Sequence, residues 1–161
     1  DCLTFDNMRA IQGKTGTSGL PVWRLIEEHF IQIQTAAMSL PRTLTYNDFH
    51  FTNLAVAQDG SDALVFDYNM LGNGYVYSDI RNVCGHLGNE DARKSFQTEY
   101  GSFDEKEKLV DDVVNLLNGL HIACGRKNFP DWGQGLLAMV KDGKLQTAVE
   151  KLLESKSEVL G

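Results

Sequence analysis

Two short apolar runs with a turn signal between them constrain the fold of this chain most strongly. Residues 53–57 read NLAVA, residues 63–67 read ALVFD, and the connection at 58–62 reads QDGSD. Both runs contain residues that are favoured in strands, and an Asp-Gly pair between such runs is typical of a β-hairpin. A hairpin brings the start of one run beside the end of the other. We therefore expect Asn53 and Asp67 to lie close together.

The sequence on either side of this hairpin is mainly helical in pattern. Residues 20–38 repeat apolar side chains at spacings of three and four, with Pro21 suited to the first helical turn. The chain becomes helical again from Asp79 onward, and residues 104–107 form a D-x-x-E capping signal. TLTY at 43–46 is a further strand candidate. We predict an α+β fold, a mainly helical lobe with one small β-hairpin.

Length and composition favour one soluble domain. The chain has 161 residues, of which 42% are hydrophobic and 23% charged, which is enough to bury a core. We predict a single domain over residues 1–161, in which residues 1–19 form a flexible start. No apolar run approaches about 18 residues, which argues against a membrane span. Three widely spaced cysteines fit a reduced, cytoplasmic protein better than a disulfide scaffold.

The formal net charge of −7 argues against a nucleic-acid binder, which would carry a basic surface. It leaves room for a nucleotide held by a metal ion, and for a cationic small molecule. One motif invites a phosphate-binding interpretation, because Gly13-Lys14-Thr15 matches the last part of a P-loop. A complete P-loop needs a glycine five positions before Gly13, and Met8 stands there. We interpret this segment as a surface loop.

Three polar residues at the ends of the strand candidates suit phosphoryl transfer. Asp48 can orient a hydroxyl nucleophile and accept its proton. Asn53 offers a neutral oxygen to Mg²⁺, and Asp67 offers a carboxylate that can bridge the metal ion to a nucleotide. Asp and Asn are also common in turns, where they form local hydrogen bonds. The joint spacing of the three residues, not any one of them, indicates a site.

The segments that carry these residues resemble a known superfamily. YNDFHFTNLAV at 46–56 resembles the catalytic loop of the aminoglycoside phosphotransferase and choline kinase superfamily, which has a protein-kinase-like fold. LVFDYN at 64–69 resembles the metal-binding segment of that superfamily. GNGYVYSDI at 72–80 resembles the start of its next helix and aligns Asp79 with a structural aspartate. The sequence departs from the family at Tyr46-Asn47, where His-Gly is usual.

The resemblance implies an ATP- and Mg²⁺-dependent phosphotransferase. Asp48 would be the catalytic base, Asn53 and Asp67 would hold the metal ion and nucleotide, and His50 and Asp79 would support the loop. Family members also have an N-terminal lobe that covers the nucleotide, and nothing before Asp48 resembles it. We therefore expect this chain to be the C-terminal lobe, with the N-terminal lobe of the same protein as its partner, and to be inactive in isolation.

The resemblance also implies a hydroxylated small-molecule substrate, such as an aminoglycoside or choline. Acidic and aromatic side chains suit a cationic substrate, because a ring face attracts an ammonium group. Tyr77, Asp131 and Trp132 are weak candidates for this role, since each is equally well explained as an ordinary surface residue. A second interpretation stays open, in which the chain is a non-catalytic kinase-like interaction module. A metal-dependent hydrolase would need more ligands than this loop supplies.

Overall fold

The computed structural model describes residues 3–157, and the chain divides into two compact units. One unit comprises residues 1–40 and 108–161, and the other comprises residues 41–107. The fold class is α+β, as the sequence predicts. The sequence predicted a single domain over residues 1–161, and this division is a feature that it did not predict.

Helices begin and end the chain, and short strands lie between them. The first helices are α1 (Phe5–Thr15), α2 (Pro21–Glu28) and α3 (Phe30–Ser39). Strand β1 (Thr43–Thr45), a 3₁₀ turn (Phe51–Asn53), β2 (Leu54–Val56), β3 (Ala63–Val65) and β4 (Gly72–Gly74) follow. The remaining helices are α4 (Val76–His86), α5 (Glu90–Tyr100), α6 (Glu105–Gly125), α7 (Asp131–Lys141) and α8 (Lys144–Ser157).

The unit formed by 1–40 and 108–161 is a helical bundle. Helix α8 packs against α2, α3 and α7. The apolar spacing of three and four along these helices places one face of each in the core. The buried side chains include Trp23, Ile26, Ile33, Val113, Leu117, Leu120, Leu145 and Val149. In the described part of the chain, no helix is both long and apolar enough to span a membrane.

The predicted flexible start at residues 1–19 is wrong, because helix α1 covers most of it. The Thr4 hydroxyl caps this helix by accepting the backbone N–H of Asn7 at 3.2 Å. Gly16 ends the helix with φ of 65°, a left-handed conformation that glycine adopts without strain. Lys14 therefore lies in the last helical turn, not in a surface loop, and its Nζ donates to the Cys124 carbonyl at 2.8 Å.

The single helix predicted over residues 20–38 is two helices, α2 and α3. The break is at His29, whose φ of −112° and ψ of 17° lie outside the helical region. The His29 Nδ1 lies 2.7 Å from Gln32 Oε1, at the start of α3. The apolar spacing continues across the break, with Ile26 and Phe30 both buried. Periodicity alone could not reveal this break, because both helices bury the same face.

The unit formed by residues 41–107 contains two antiparallel strand pairs. The predicted hairpin is confirmed, since β2 pairs with β3 and Leu54 lies opposite Val65. Strand β1 confirms the candidate at 43–46, but its partner is β4, which the sequence did not predict. Gly74 explains this pairing: a Cβ there would lie 2.6 Å from Thr45 Oγ1, so only glycine allows the close approach.

The interior of this second unit is rich in polar groups. Thr45, Ser78, Asp79 and Glu107 are all buried, each with less than a tenth of its surface exposed. Buried polar groups are tolerated where they are hydrogen-bonded, and Glu107 accepts the backbone N–H of Tyr77 at 3.0 Å. The apolar side chains that are buried beside them are few among the described residues: Phe49, Tyr75, Ile80 and Val83. Polar contacts therefore hold much of this unit in place.

Candidate metal-binding and catalytic site

The β2–β3 hairpin places Asn53 next to Asp67. The backbone N–H of Phe66 donates to the Asn53 carbonyl at 3.0 Å, one step beyond the Leu54–Val65 pair. Asp67 follows Phe66 directly, so its carboxylate leaves the chain at the same end of the hairpin as the Asn53 side chain. The backbone of the hairpin therefore brings Asn53 and Asp67 close together, as the sequence predicts.

The loop from Tyr46 to Asn53 brings Asp48 to the same place. Asn53 ends the 3₁₀ turn, and its Nδ2 donates back to the Asp48 carbonyl at 3.1 Å. This bond commits the amide nitrogen. The side-chain oxygen accepts from the Thr52 hydroxyl at 3.4 Å, which is longer than an ordinary O–H···O bond, so this oxygen keeps the capacity to bind a ligand. Asp48 and Asn53 are half-buried, whereas Asp67 is exposed.

Asp79 holds the start of this loop. It lies in the first turn of α4, is buried, and accepts the backbone N–H groups of Tyr46 and Asn47 at 3.0 Å each. The Tyr100 hydroxyl donates to the same carboxylate at 2.9 Å. Charge-assisted bonds of this kind are about twice as strong as neutral ones. Asp79 thus braces the start of the loop.

This environment changes the ionisation of Tyr100. Burial raises the pKa of the phenol to about 12, and the hydrogen bond to Asp79 together with the charges of Asp79 and Glu107 adds to the effect. A phenol that donates to a carboxylate must keep its proton, so each of these influences stabilises the same neutral form. Tyr100 therefore remains a donor to Asp79 throughout the neutral pH range.

Two residues of this region have backbone conformations that are uncommon outside glycine. Asn47 has φ of 62° and Asp67 has φ of 66°, and they are the non-glycine residues with positive φ in the described part of the chain. Asn and Asp tolerate this conformation better than other residues, and strained residues of this kind concentrate at functional sites. The Asn47 Nδ2 contacts Thr45 Oγ1 at 2.7 Å, and Asn69 Nδ2 donates to Asp67 Oδ1 at 2.5 Å.

Tyr46 is a site residue that the sequence analysis treated only as a departure from the family pattern. Its hydroxyl donates to the Phe66 carbonyl at 2.5 Å, and it also interacts with the Asn53 side chain. Burial raises the pKa of this phenol, the Asn53 bond lowers it, and the charges of Asp48 and Asp67 raise it further. The hydroxyl therefore contacts the Phe66 carbonyl and the Asn53 side chain, and it senses the charges of the two carboxylates. A tyrosine that replaces histidine two residues before a catalytic-type Asp was the signal that could have identified it.

The donor set fits Mg²⁺ better than a transition metal. Mg²⁺ is usually held by one or two carboxylates, with nucleotide phosphates and water completing its six ligands. Asp67 supplies a carboxylate and Asn53 an amide oxygen, and both are hard oxygen ligands. Over the described residues, no three His, Cys, Asp or Glu side chains converge as a closed metal site. An open site that shares its metal ion with a nucleotide does not need such a group.

The other residues that the sequence singled out lie around this site or in the helical unit. His50 is exposed at the start of the 3₁₀ turn, and its ring lies 4.9 Å from that of His86. Tyr77 is half-buried on α4, with its ring 4.8 Å from Phe103. Asp131 and Trp132 are exposed in the first turn of α7, in the helical unit. Their part in substrate binding stays a prediction.

Comparisons of this chain with family models, with curated proteins and with solved structures returned no match. The family resemblance therefore depends on the motif residues of the sequence alone.

Proposed function

We propose that the chain is a lobe of a phosphotransferase that transfers the γ-phosphoryl group of ATP to a hydroxyl of a small molecule. The observation that carries the proposal is a set of hydrogen bonds that links the segments of Asp48, Asn53 and Asp67. The Asn53 Nδ2 donates to the Asp48 carbonyl at 3.1 Å, the Phe66 N–H donates to the Asn53 carbonyl at 3.0 Å, and Asp67 follows Phe66 directly. These bonds depend on the 3₁₀ turn and on the hairpin.

Each side chain has a distinct task in this proposal. Asp48 accepts the proton of the substrate hydroxyl. The hydroxyl oxygen forms a bond to the γ-phosphorus, and the bond between the γ-phosphorus and ADP breaks. Asn53 and Asp67 would hold Mg²⁺, and the bound ion would supply positive charge that neutralises the phosphate oxygens. Asp79 and His50 act on the position of the loop, not on the reacting atoms. Because phosphoryl transfer depends on position and charge, small displacements of Asp48 should lower the rate strongly.

Exposed apolar side chains around the hairpin support the expectation of a further partner lobe. Large apolar patches on a folded surface usually mark an interaction site. Eight large apolar or aromatic side chains in the second unit each expose more than two fifths of their surface: Leu44, Phe51, Val56, Leu64, Phe66, Tyr68, Met70 and Leu71. In the proposed kinase these residues would contact the N-terminal lobe of the same protein, which would also cover the nucleotide.

The same surface favours a second candidate function, a non-catalytic kinase-like interaction module. In that case the apolar residues would bind a partner protein, and the polar loop would serve only to hold the hairpin. The two candidates differ in one property, which is whether Asn53 and Asp67 bind a divalent cation.

Cation binding can be measured on this chain without any activity. Titration with Mn²⁺, which substitutes for Mg²⁺ and is visible by electron paramagnetic resonance, should give one saturable site that ATP strengthens. Asp67→Asn and Asn53→Ala should each weaken binding about tenfold or more, which is about 1.4 kcal/mol. Asp91→Asn, an exposed acidic residue in the first turn of α5, is the matched control and should leave binding unchanged. Equal binding by all four proteins would favour the interaction module.

A further inference from the structure

Two imidazole rings lie together beside the proposed catalytic loop. The ring centroids of His50 and His86 are 4.9 Å apart and the ring planes are inclined by 52°. His50 lies two residues after Asp48 and is exposed, whereas His86 is the last residue of α4 and is half-buried. The phosphotransferase proposal gives the pair no chemical task.

Hydrogen bonding orients the His86 ring. Its Nδ1 lies 2.8 Å from the Asn82 carbonyl, and because a carbonyl can only accept, Nδ1 carries the proton in the neutral ring. The lone pair is then on Nε2. Metal-binding histidines commonly have this arrangement, in which one nitrogen donates to a carbonyl and the other binds the metal ion.

The backbone at His50 is anchored to the same helix. The Phe49 N–H donates to Asn82 Oδ1 at 2.7 Å, so Asn82 contacts the loop with its side chain and His86 with its carbonyl. Phe49 is buried, and its ring lies 6.4 Å from the His86 ring. Both imidazoles are therefore attached to ordered backbone, which lowers the entropic cost of bringing them together around a ligand.

We propose that His50 and His86 bind one divalent transition-metal ion, with His86 Nε2 and one nitrogen of His50 as ligands and water in the other positions. Imidazole suits Zn²⁺, Ni²⁺ and Cu²⁺, whereas Mg²⁺ prefers oxygen. A cation about 2.1 Å from one nitrogen of each ring holds the centroids roughly 4.5 to 5.2 Å apart, for ligand angles of about 90° to 109°. The observed separation of 4.9 Å lies within this interval.

A cation bound here would act on the loop that carries Asp48. It would join the start of the 3₁₀ turn to the end of α4, two segments that Asn82 already connects by weaker hydrogen bonds. Two protein ligands make an exchangeable site, not a structural one, because structural zinc sites use four. The site is therefore suited to regulation, in which a transition metal immobilises the loop.

The test is a calorimetric titration of the whole chain with Ni²⁺, which imidazole binds well. The chain has four histidines, so His29→Ala and His121→Ala are matched controls for His50→Ala and His86→Gln. We expect the unmodified chain to bind one equivalent of Ni²⁺. The affinity should be at least tenfold lower in His50→Ala and in His86→Gln, and unchanged in either control. Circular dichroism would verify that each variant is folded.

Two results would overturn the inference. One is the absence of saturable binding in the unmodified chain, and the other is binding that survives either variant of the pair. Asp67→Asn provides the distinction from the proposed function, because it should abolish Mn²⁺ binding at the oxygen ligands and leave Ni²⁺ binding intact. The Ni²⁺ experiment can therefore contradict the histidine site without contradicting the phosphotransferase proposal, and the Mn²⁺ experiment can contradict the phosphotransferase proposal without contradicting the histidine site.

Discussion

The Tyr46 hydroxyl donates to the main-chain oxygen of Phe66 at 2.5 Å. This bond joins the loop that contains Asp48 to the strand end that precedes Asp67. The backbone N–H of Tyr46 is held by Asp79 at the same time. Tyr46 therefore connects Asp79, which braces the loop, to the segments that contain the proposed base Asp48 and the proposed metal ligand Asp67.

The first prediction concerns this connection. Tyr46→Phe removes the hydroxyl, and the loss of this hydrogen bond should lower the free energy of unfolding. Because Asp67 is then less well positioned, the dissociation constant for Mn²⁺ should rise severalfold. Tyr68→Phe is the matched control, since the Tyr68 hydroxyl donates to the neighbouring Val65 carbonyl at 2.6 Å. An equal effect of both substitutions on Mn²⁺ binding would show that Tyr46 has no special role.

The second prediction concerns the brace. Asp79→Asn replaces one carboxylate oxygen by an N–H₂ group that cannot accept, so a partly buried backbone N–H loses its charged partner. We expect a loss of about 2 to 4 kcal/mol in the free energy of unfolding, measured by urea denaturation. Asp91→Asn, in the first turn of an exposed helix, should cost no more than about 0.5 kcal/mol. A loss below about 1 kcal/mol in Asp79→Asn would contradict the bracing role.

The third prediction tests the β1–β4 pair. Gly74→Ala places a Cβ 2.6 Å from Thr45 Oγ1 and 3.1 Å from its Cγ2, so the strands must separate. Overpacking of this kind costs about 1 to 3 kcal/mol. At Gly72 the nearest atoms to an added Cβ are at 3.8 and 3.9 Å, which is ordinary contact. Gly72→Ala should therefore be close to neutral, and thermal unfolding that ranks the two variants in the opposite order would refute the strand register.

The fourth prediction concerns alkaline pH. The pKa of Tyr100 is about 12 in the folded protein, above its ordinary value of 10.0. A phenol whose pKa is higher in the folded state than in the unfolded state stabilises the fold at pH values below the unfolded-state pKa. This contribution is lost as pH rises from about 10 to about 12. Tyrosinate absorbance should show one phenol ionising near pH 12, absent in Tyr100→Phe. In the Asp79→Asn variant the Tyr100 phenol should ionise at lower pH. An unchanged pKa of Tyr100 in this variant would contradict the contribution assigned to Asp79.

The part of the fold that follows local rules was predictable from the sequence. The Asp59-Gly60 turn and the alternating apolar runs specified the β2–β3 hairpin, and its register placed Asn53 beside Phe66. The helical pattern from Asp79 onward is also confirmed by α4 to α8. Asp104 caps α6 as expected, because it accepts the Lys106 N–H at 2.9 Å.

The remainder depends on contacts between distant residues. Strand β4 is Gly-Asn-Gly, which has low strand propensity, and its pairing with β1 requires glycine at position 74, where an added Cβ would lie 2.6 Å from Thr45 Oγ1. Helix α1 was missed because its glycine and threonine residues are typical of loops, although Thr4 and Gly16 cap it correctly. The task of Tyr46 depends on a carbonyl twenty residues away, at Phe66. No local pattern contains that information.

The central claim is that Asn53 and Asp67 hold a metal ion against a nucleotide, with Asp48 beside it. Diffraction from crystals soaked with Mn²⁺ and a non-hydrolysable ATP analogue tests it most directly, since the anomalous signal locates manganese without assumptions. The account predicts one peak between the Asn53 side-chain oxygen and the Asp67 carboxylate. Nucleotide bound without a peak at these two residues, or manganese bound only elsewhere, would contradict it.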